Sequence, residues 1–247
     1  MHDLESFRNN EVRGNYVVIN CLNIVGISDS NYELLRNSVS EARRRRADRF
    51  YFIADAYRSI CAELLLQYSL YEATGQYVDI DLDYNPFGKP TVRNISEFEY
   101  NISHSGSWVV VAYANTEVGV DVEEIQRGCE RIVNIYFSEE EKDYIFSVTG
   151  SERSKRFTQI WTLKESYMKY LGMGFSIAMD SFSINLREGI ITNKKGEVQD
   201  NTVIKNFLFH NDYYLSICGR EENVVINEVM MEDIFQFIKR KHRPSKL

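Results

Sequence analysis

Two periods of hydrophobic and polar positions divide the first half of the chain into strands and a helical region. Residues 16–24 form a short apolar run, which predicts a buried strand. From about residue 31 to residue 74, apolar side chains recur every three or four positions, which predicts helix, and Gly75 marks its end. Three further strands are predicted by alternating or apolar runs around the turn at residues 85–90: 78–84, 98–103 and 108–114.

The second half, from about Thr116, passes from strand to helix and back to strand. A strand pattern reaches residue 124, and helical patterns follow near Arg131, from Ser138 and over residues 151–171. Four strand patterns and a final amphipathic helix complete the chain: 181–186, 202–209, 213–218, 224–230 and 232–241. Mixed helices and mainly antiparallel-looking strands favour an α+β fold. Because no low-complexity linker separates the halves, we predict two packed lobes, residues 1–115 and 116–247.

The strand at residues 119–124 places two carboxylates side by side. Successive strand side chains point to opposite faces, so Asp121 and Glu123 share one face with Gly119, and the valines at 118, 120 and 122 share the other. Two such close negative charges repel each other unless a positive charge lies between them. The pattern therefore predicts that this strand holds a cation.

The helix at residues 151–171 carries a second candidate group. Its neighbours at helical spacing are Trp161, Lys164, Glu165, Met168 and Lys169, of which the tryptophan and the methionine can anchor the helix in the core. The plainer interpretation of the glutamate and the second lysine is an ordinary surface pair worth about 0.3–0.5 kcal/mol.

Taken together, the two segments indicate metal chemistry. Asp121, Glu123 and Glu165 supply three hard oxygen ligands, and neither segment contains His or Cys. Such a set suits Mg²⁺, which prefers octahedral oxygen coordination and shares its ligands with substrate phosphates. The implied substrate is a phosphate ester.

Composition limits the remaining classes. With 247 residues and 44% hydrophobic side chains, the chain suits a well-packed globular protein. It has no apolar run long enough to span a bilayer, and its first residues are too polar for a secretory signal, so we expect a cytoplasmic protein with free thiols. The net charge of −7 argues against a dedicated nucleic-acid binder.

Four ordered blocks resemble one known family. They are Gly-Lys-Pro at 88–90, Asn-Ile-Ser-His-Ser at 101–105, Gly-Val-Asp-Val-Glu at 119–123 and the segment from Trp161 to Lys169. The chain resembles the 4′-phosphopantetheinyl transferases, in particular the larger, surfactin-synthetase-activating type. The resemblance implies a monomer with two lobes related by approximate twofold pseudosymmetry and a coenzyme A cleft between them. It also implies transfer of the phosphopantetheine arm of coenzyme A to a serine of an apo acyl or peptidyl carrier protein, with release of 3′,5′-ADP.

The same resemblance assigns roles to individual residues. Asp121, Glu123 and Glu165 correspond to the Mg²⁺ ligands, and Glu165 also corresponds to the general base that takes the serine proton, directly or through water. Lys169 would stabilise or protonate the departing phosphate. Glu141 matches an acidic position near the metal, but it also completes a capping box with Ser138, and both interpretations stay open.

Coenzyme A contacts are implied for eight residues. His104, Arg43, Arg46 and Arg58 would meet the 3′-phosphate, and Lys89 with Pro90 would form the turn that holds the adenine; Ser103 and Lys164 join this group. Arg43 and Arg46 lie three apart and hence on one helix face, where guanidinium groups bind phosphate well. The plainer alternatives are a solvated arginine cluster, a structural histidine and an ordinary tight turn.

Two rival functions follow from the same residues. One is a non-catalytic module that binds coenzyme A and carrier proteins, although such a module has no need of a base or an acid. The other is an unrelated Mg²⁺-dependent enzyme acting on phosphate esters. The segment before Tyr16 matches none of the motifs of the family and receives no role from the resemblance. We treat the terminal Ser245-Lys246-Leu247, which has the form of a peroxisomal signal, as coincidence.

Overall fold

A computed structural model describes residues 16–126, 130–199 and 202–242, and these residues form an α+β fold. The strands are β1 (Tyr16–Asn23), β2 (Leu82–Tyr84), β3 (Pro90–Val92), β4 (Glu99–Ser105), β5 (Trp108–Ala114), β6 (Gly119–Glu124), β7 (Phe182–Asn185), β8 (Ile190–Asn193), β9 (Val203–Phe209), β10 (Tyr213–Gly219) and β11 (Asn223–Val229). The helices are α1 (Asp29–Asn37), α2 (Glu41–Ala47), α3 (Ile53–Thr74), α4 (Glu130–Tyr136), α5 (Glu139–Phe146), α6 (Gly150–Leu171) and α7 (Met231–Lys241).

The helical region predicted between residues 31 and 74 consists of three helices rather than one. Ser28 and Ser40 cap α1 and α2, because each side chain accepts a hydrogen bond from a free amide of the first turn. α3 ends at Gly75, whose left-handed conformation confirms the predicted stop. The apolar period continues across both breaks, so periodicity alone did not reveal them.

Two sheets form the centre of the molecule. The first has the strand order β11-β1-β5-β4, and the second has the order β6-β10-β9. Neighbouring strands in both sheets are antiparallel except β1 and β11, which are parallel. The C-terminal strand β11 thus lies beside the N-terminal strand β1. The predicted division into lobes at residue 115 stays a prediction, and it separates β11 and α7 from the elements on which they pack.

The sheets and helices pack in layers. Val120 and Val122 of β6 pack with Ile19 and Val110 of the first sheet, in a core between the two sheets. α3 and α7 cover the other face of the first sheet, and α6 covers the other face of the second. This arrangement confirms the predicted alternation in β6: its valines face the inner core, and Asp121 faces α6.

Other sequence predictions have mixed outcomes. Only the last part of the strand predicted at residues 78–84 forms a strand, which is β2. The sequence did not predict the short strands β3 and β8. Cys21, Cys61 and Cys218 are buried free thiols, as expected, while Cys129 lies outside the described residues, as do the segment before Tyr16 and the terminal tripeptide. Among the described helices, none has the length and apolarity needed to cross a membrane.

Candidate active site

A cavity of about 440 Å³ lies between α2 and α3 on one side and β6 and α6 on the other. β4 runs along its floor, because it is the edge strand of the first sheet beside β6. Eight of the candidate site residues named from the sequence line this cavity: Arg43, Arg46, Ser103, His104, Asp121, Glu123, Glu165 and Lys169. The structure therefore brings together positions that span the chain from residue 43 to residue 169.

Asp121 is the most buried charged group of the cavity, with 3% of its surface exposed. Its Oδ1 atom accepts hydrogen bonds from Lys169 Nζ at 2.6 Å and from Ser103 Oγ at 2.8 Å. Lys169 Nζ also donates to Ser103 Oγ at 3.0 Å. The lysine is thus ion-paired with the strand carboxylate and not, as the plainer interpretation of the helix had it, simply with Glu165 one turn earlier.

The other two carboxyl groups are less well compensated. Burial, followed by the neighbouring Asp121 charge, raises the pKa of Glu123 to about 7 against the opposing effects of the Ser105 hydrogen bond and of Lys169. Burial and Asp121 also raise the pKa of Glu165, while Lys169 lowers it. A raised carboxyl pKa means that the site disfavours further negative charge.

The donor set fits a hard cation, although the side chains are not arranged around one. Within the described ranges, no group of three or more His, Cys, Asp or Glu side chains is placed to hold a metal ion. Asp121 Oδ2, however, is buried and has no hydrogen-bond partner among the described atoms. A buried carboxylate oxygen without a partner is costly, and a cation ligated there by Asp121, Glu123 and Glu165 would compensate it.

The opposite wall of the cavity is basic. Arg43 Nε donates to Glu63 Oε2 at 3.0 Å, and Arg46 lies exposed one helical turn further along α2. Desolvation lowers the pKa of His104, and the charges of Arg58 and Lys169 lower it too, although a hydrogen bond to its backbone raises it. A cavity with guanidinium groups on one wall and carboxylates with a lysine on the other suits a ligand that carries several phosphates.

Comparisons with known proteins decide the family. The model of the 4′-phosphopantetheinyl transferase superfamily matches residues 117–218, and the model described as 4′-phosphopantetheinyl transferase, N-terminal, matches residues 27–116. The chain belongs to the 4′-phosphopantetheinyl transferase superfamily. Among its relatives, the 4′-phosphopantetheinyl transferase psf-1 of Bacillus pumilus is 32% identical over 191 residues, which cover 76% of this chain and 82% of the relative.

Further transferases of this superfamily are similar over comparable lengths. The 4′-phosphopantetheinyl transferase gsp of Aneurinibacillus migulanus is 32% identical, with 76% of this chain and 79% of the relative covered. The transferase ffp of Bacillus subtilis is 31% identical, with 78% and 87% covered. The resemblance inferred from four short motifs thus extends over most of the chain.

Lys164 does not line the cavity described above, which contradicts the prediction that it contacts coenzyme A. Its side chain is completely buried, and Nζ donates to both carboxylate oxygens of Glu141 at 2.9 Å and to the Phe182 carbonyl at 2.8 Å. All three ammonium protons therefore have partners. Lys164 precedes Glu165 by one residue, and about 100° of helix rotation turns it away from the cavity.

Glu141 is the structural partner of this lysine. It completes the predicted capping box with Ser138, and its Oε1 atom also accepts the Ile184 amide at 2.8 Å. The buried pair joins α5, α6 and β7, and removing one partner of such a pair typically costs about 3–5 kcal/mol. Of the two interpretations that the sequence left open, the structure supports the structural one.

Three other predicted residues do not line the cavity. Lys89 Nζ donates to the carbonyls of Val118 at 3.3 Å and Tyr170 at 3.1 Å, so it joins the start of β6 to the end of α6. Pro90 begins β3. Arg58 donates to the Gly106 carbonyl and to Asp55, each at 2.6 Å. Their roles toward coenzyme A stay predictions.

Sequence reasoning missed several residues of the cavity wall. Phe50, Ser59 and Trp161 line it together with Ala62 and Ile102. In the sequence, Ser59 is only one polar position within the helical pattern of α3. Phe50 is only an aromatic residue that follows the arginine cluster. The helical spacing predicts Trp161 and Met168 as core anchors; Met168 is buried as expected, whereas the indole of Trp161 also faces the cavity.

Proposed function

We propose that the protein transfers the 4′-phosphopantetheine arm of coenzyme A to a serine of an apo carrier protein and releases 3′,5′-ADP. The observation that carries this proposal is one cavity in which a basic wall faces Asp121, Glu123, Glu165 and Lys169. Membership of the 4′-phosphopantetheinyl transferase superfamily supports the same reaction. The unrelated phosphate-ester enzyme considered above loses its support, because the family matches extend over both halves of the chain.

Coenzyme A would lie across the cavity. Arg43, Arg46 and His104 would bind its 3′-phosphate, and its pyrophosphate would reach toward the carboxylates. Mg²⁺ bound by Asp121, Glu123 and Glu165 would neutralise the charge that develops on the pyrophosphate oxygens. The apolar wall residues would exclude water from the reacting phosphate.

The proton and the leaving group each need a partner. The serine Oγ attacks the phosphorus on the phosphopantetheine side, the bond from that phosphorus to the bridging oxygen breaks, and 3′,5′-ADP leaves with the electron pair. Glu165 accepts the serine proton, directly or through water. Lys169, whose ammonium lies on Asp121, stabilises or protonates the departing phosphate.

The finer assignments belong to the same proposal. The acceptor is an acyl or peptidyl carrier domain of secondary metabolism, docked beside β6 and α6 so that its serine reaches Glu165. The enzyme works as a cytoplasmic monomer, with two lobes of approximate twofold pseudosymmetry and coenzyme A in the cleft between them.

Mass spectrometry of an intact apo carrier protein tests the reaction. The carrier is incubated with the protein, coenzyme A and Mg²⁺, and we expect it to gain one phosphopantetheine arm. The gain should disappear with EDTA and with Glu165→Gln, which removes a metal ligand and the base at once. Glu152→Gln on the same helix is the matched control and should retain transfer, because Glu152 lies exposed in the first turn of α6.

Two results would contradict the proposal. Absence of transfer to several carrier types, despite tight binding of coenzyme A, would favour the non-catalytic binding module. Full transfer by Glu165→Gln would remove Glu165 from both of its proposed roles.

A further inference from the structure

The edge strands β4 and β6 are joined by side chains. They belong to different sheets, yet they lie side by side. Asn101 Oδ1 accepts a hydrogen bond from the Val120 amide at 3.0 Å, and Ser103 Oγ accepts one from the Val122 amide at 3.3 Å. Ser105 Oγ completes the series by accepting from the Glu124 amide at 3.2 Å.

This series has the period of a strand on both sides. Every second side chain of β4 points the same way, and every second amide of β6 does too. The polar side chains at 101, 103 and 105 therefore satisfy the edge amides of β6, which is where another strand would otherwise pair. Three hydrogen bonds from amides of β6 to side chains of one short motif in β4 therefore connect the two sheets.

Two members of the series also bind the carboxylates of the cavity. Ser103 Oγ donates to Asp121 Oδ1 at 2.8 Å, and Ser105 Oγ donates to Glu123 Oε2 at 2.6 Å. Asn101 lies opposite Gly119 and Val120, where β6 has no carboxylate. Asn101 thus only connects the two sheets, whereas Ser103 and Ser105 connect the sheets and also bind a carboxylate.

The hydroxyl of Ser103 has little freedom to turn. A serine hydroxyl has one proton and two acceptor sites. The Val122 amide and Lys169 Nζ occupy both acceptor sites, so the proton points at Asp121 Oδ1. Oδ1 is then shared between the serine and the lysine, and the buried Oδ2, which has no hydrogen-bond partner among the described atoms, is the oxygen left for a cation.

We infer that Ser103 and Ser105 are positioning residues that orient Asp121 and Glu123 for the cation while they join the two sheets. Assembly of the sheet interface and assembly of the metal site are then a single event. The inference rests on the proposed function, since it takes these carboxylates as the Mg²⁺ ligands. The hydroxyl of Ser103 contacts Asp121 and Lys169, while its role toward coenzyme A stays a prediction.

Mn²⁺ binding to the full chain without coenzyme A tests this role. Electron paramagnetic resonance would give the Mn²⁺ dissociation constant, and urea unfolding would give the stability of each variant. Loss of an outer hydrogen bond to a metal ligand typically weakens metal binding about 10- to 100-fold. We expect Ser103→Ala and Ser105→Ala to weaken Mn²⁺ binding by that factor.

Asn101→Ala is the matched control. It removes the equivalent bond between the sheets without touching a carboxylate, so the urea midpoint should fall and the Mn²⁺ dissociation constant should stay that of the wild type. Ser103→Thr keeps the hydroxyl and should restore Mn²⁺ binding. If an alanine variant does not fold, Ser103→Cys, with its weaker hydrogen bonds, provides the same comparison.

Two patterns would overturn the inference. One is unchanged Mn²⁺ binding in both serine variants. The other is equal weakening in Asn101→Ala, which would mean that sheet packing alone controls the site. A parallel transfer assay separates this outcome from failure of the proposed function: if the wild type binds Mn²⁺ with the expected order among variants but modifies no carrier, the transferase function fails and the positioning role stands.

Discussion

Arg43 and Arg46 face the same cavity, but they differ in whether a carboxylate of the protein already pairs with the guanidinium group. Arg43 is held by Glu63 and lies near Ser59, its nitrogens being 3.0 Å and 3.5 Å from their oxygens. Arg46 lies exposed on the same face of α2. A guanidinium already paired with a carboxylate has less to offer a phosphate, so we expect Arg46 to contribute more of the affinity for the 3′-phosphate.

Replacement of Arg46 by alanine tests this assignment. A hydrogen bond to a charged group is worth about 1.5–3 kcal/mol, so the Michaelis constant for coenzyme A should rise about 10- to 100-fold. Dephospho-coenzyme A, which lacks the 3′-phosphate, should show little change. Arg45→Ala is the control, because Arg45 is the partner of Glu41 on the exposed side of α2. An equal effect on both substrates would mean that Arg46 does not bind the 3′-phosphate.

At the scale of elements, the approach of α6 to β6 determines the geometry of the site. α6 carries Glu165 and Lys169, and β6 carries Asp121 and Glu123. The two elements approach closely at Gly119, where an added Cβ atom would collide with the backbone at Ser166 and Tyr170. A glycine is required there because only a missing side chain lets the helix lie this near the strand.

Gly119→Ala should therefore push α6 away from β6. Overpacking of this kind costs about 1–3 kcal/mol, which should lower the thermal midpoint. The displacement should also lower kcat, by about 100-fold for a shift of about 1 Å. Gly219→Ala on β10 is the control, since a Cβ atom there would meet its neighbours no closer than 3.5 Å. Wild-type kcat in Gly119→Ala would show that the site tolerates a displaced helix.

At the scale of the whole molecule, the C-terminal elements β11 and α7 pack on the N-terminal elements β1 and α3. β11 pairs with β1 from Tyr16 to Leu22, and α7 packs on α3. The buried residues of α7 belong to the same core cluster as Leu64 and Leu65 of α3: Ile234, Phe237 and Ile238. The α3 part of this core is thus completed by α7, whose residues lie more than 165 positions after Leu65 in the sequence.

Separate expression of the first half tests this dependence. Residues 1–115 lack β11 and α7, so we expect no cooperative unfolding in urea and little fixed tertiary structure by near-ultraviolet circular dichroism. Fusion of residues 222–247 before residue 1, through a flexible linker, should restore a cooperative transition. Cooperative unfolding of residues 1–115 alone would show that the first lobe folds without the C-terminal elements.

Local periodicity made much of the site readable from the sequence. A strand period of two places Asp121 and Glu123 on one face, and a helical period places Glu165 and Lys169 one turn apart. The Ser138 capping box and the stop of α3 at Gly75 are equally local, and the structure confirms both. These features depend on residues at most four positions apart, so they need no knowledge of the fold.

Tertiary packing decided which partner each polar group has. Lys164 and Glu165 are adjacent in sequence, yet one is buried against Glu141 of α5 and the other faces the cavity. The position of β11 beside β1, and of the Ser103 hydroxyl between the Val122 amide, Lys169 and Asp121, likewise depends on contacts between distant segments. The sequence by itself thus determined the residue types and the faces they share. Only the folded chain determined which of these faces meet, because such contacts form between segments whose separation no local pattern encodes.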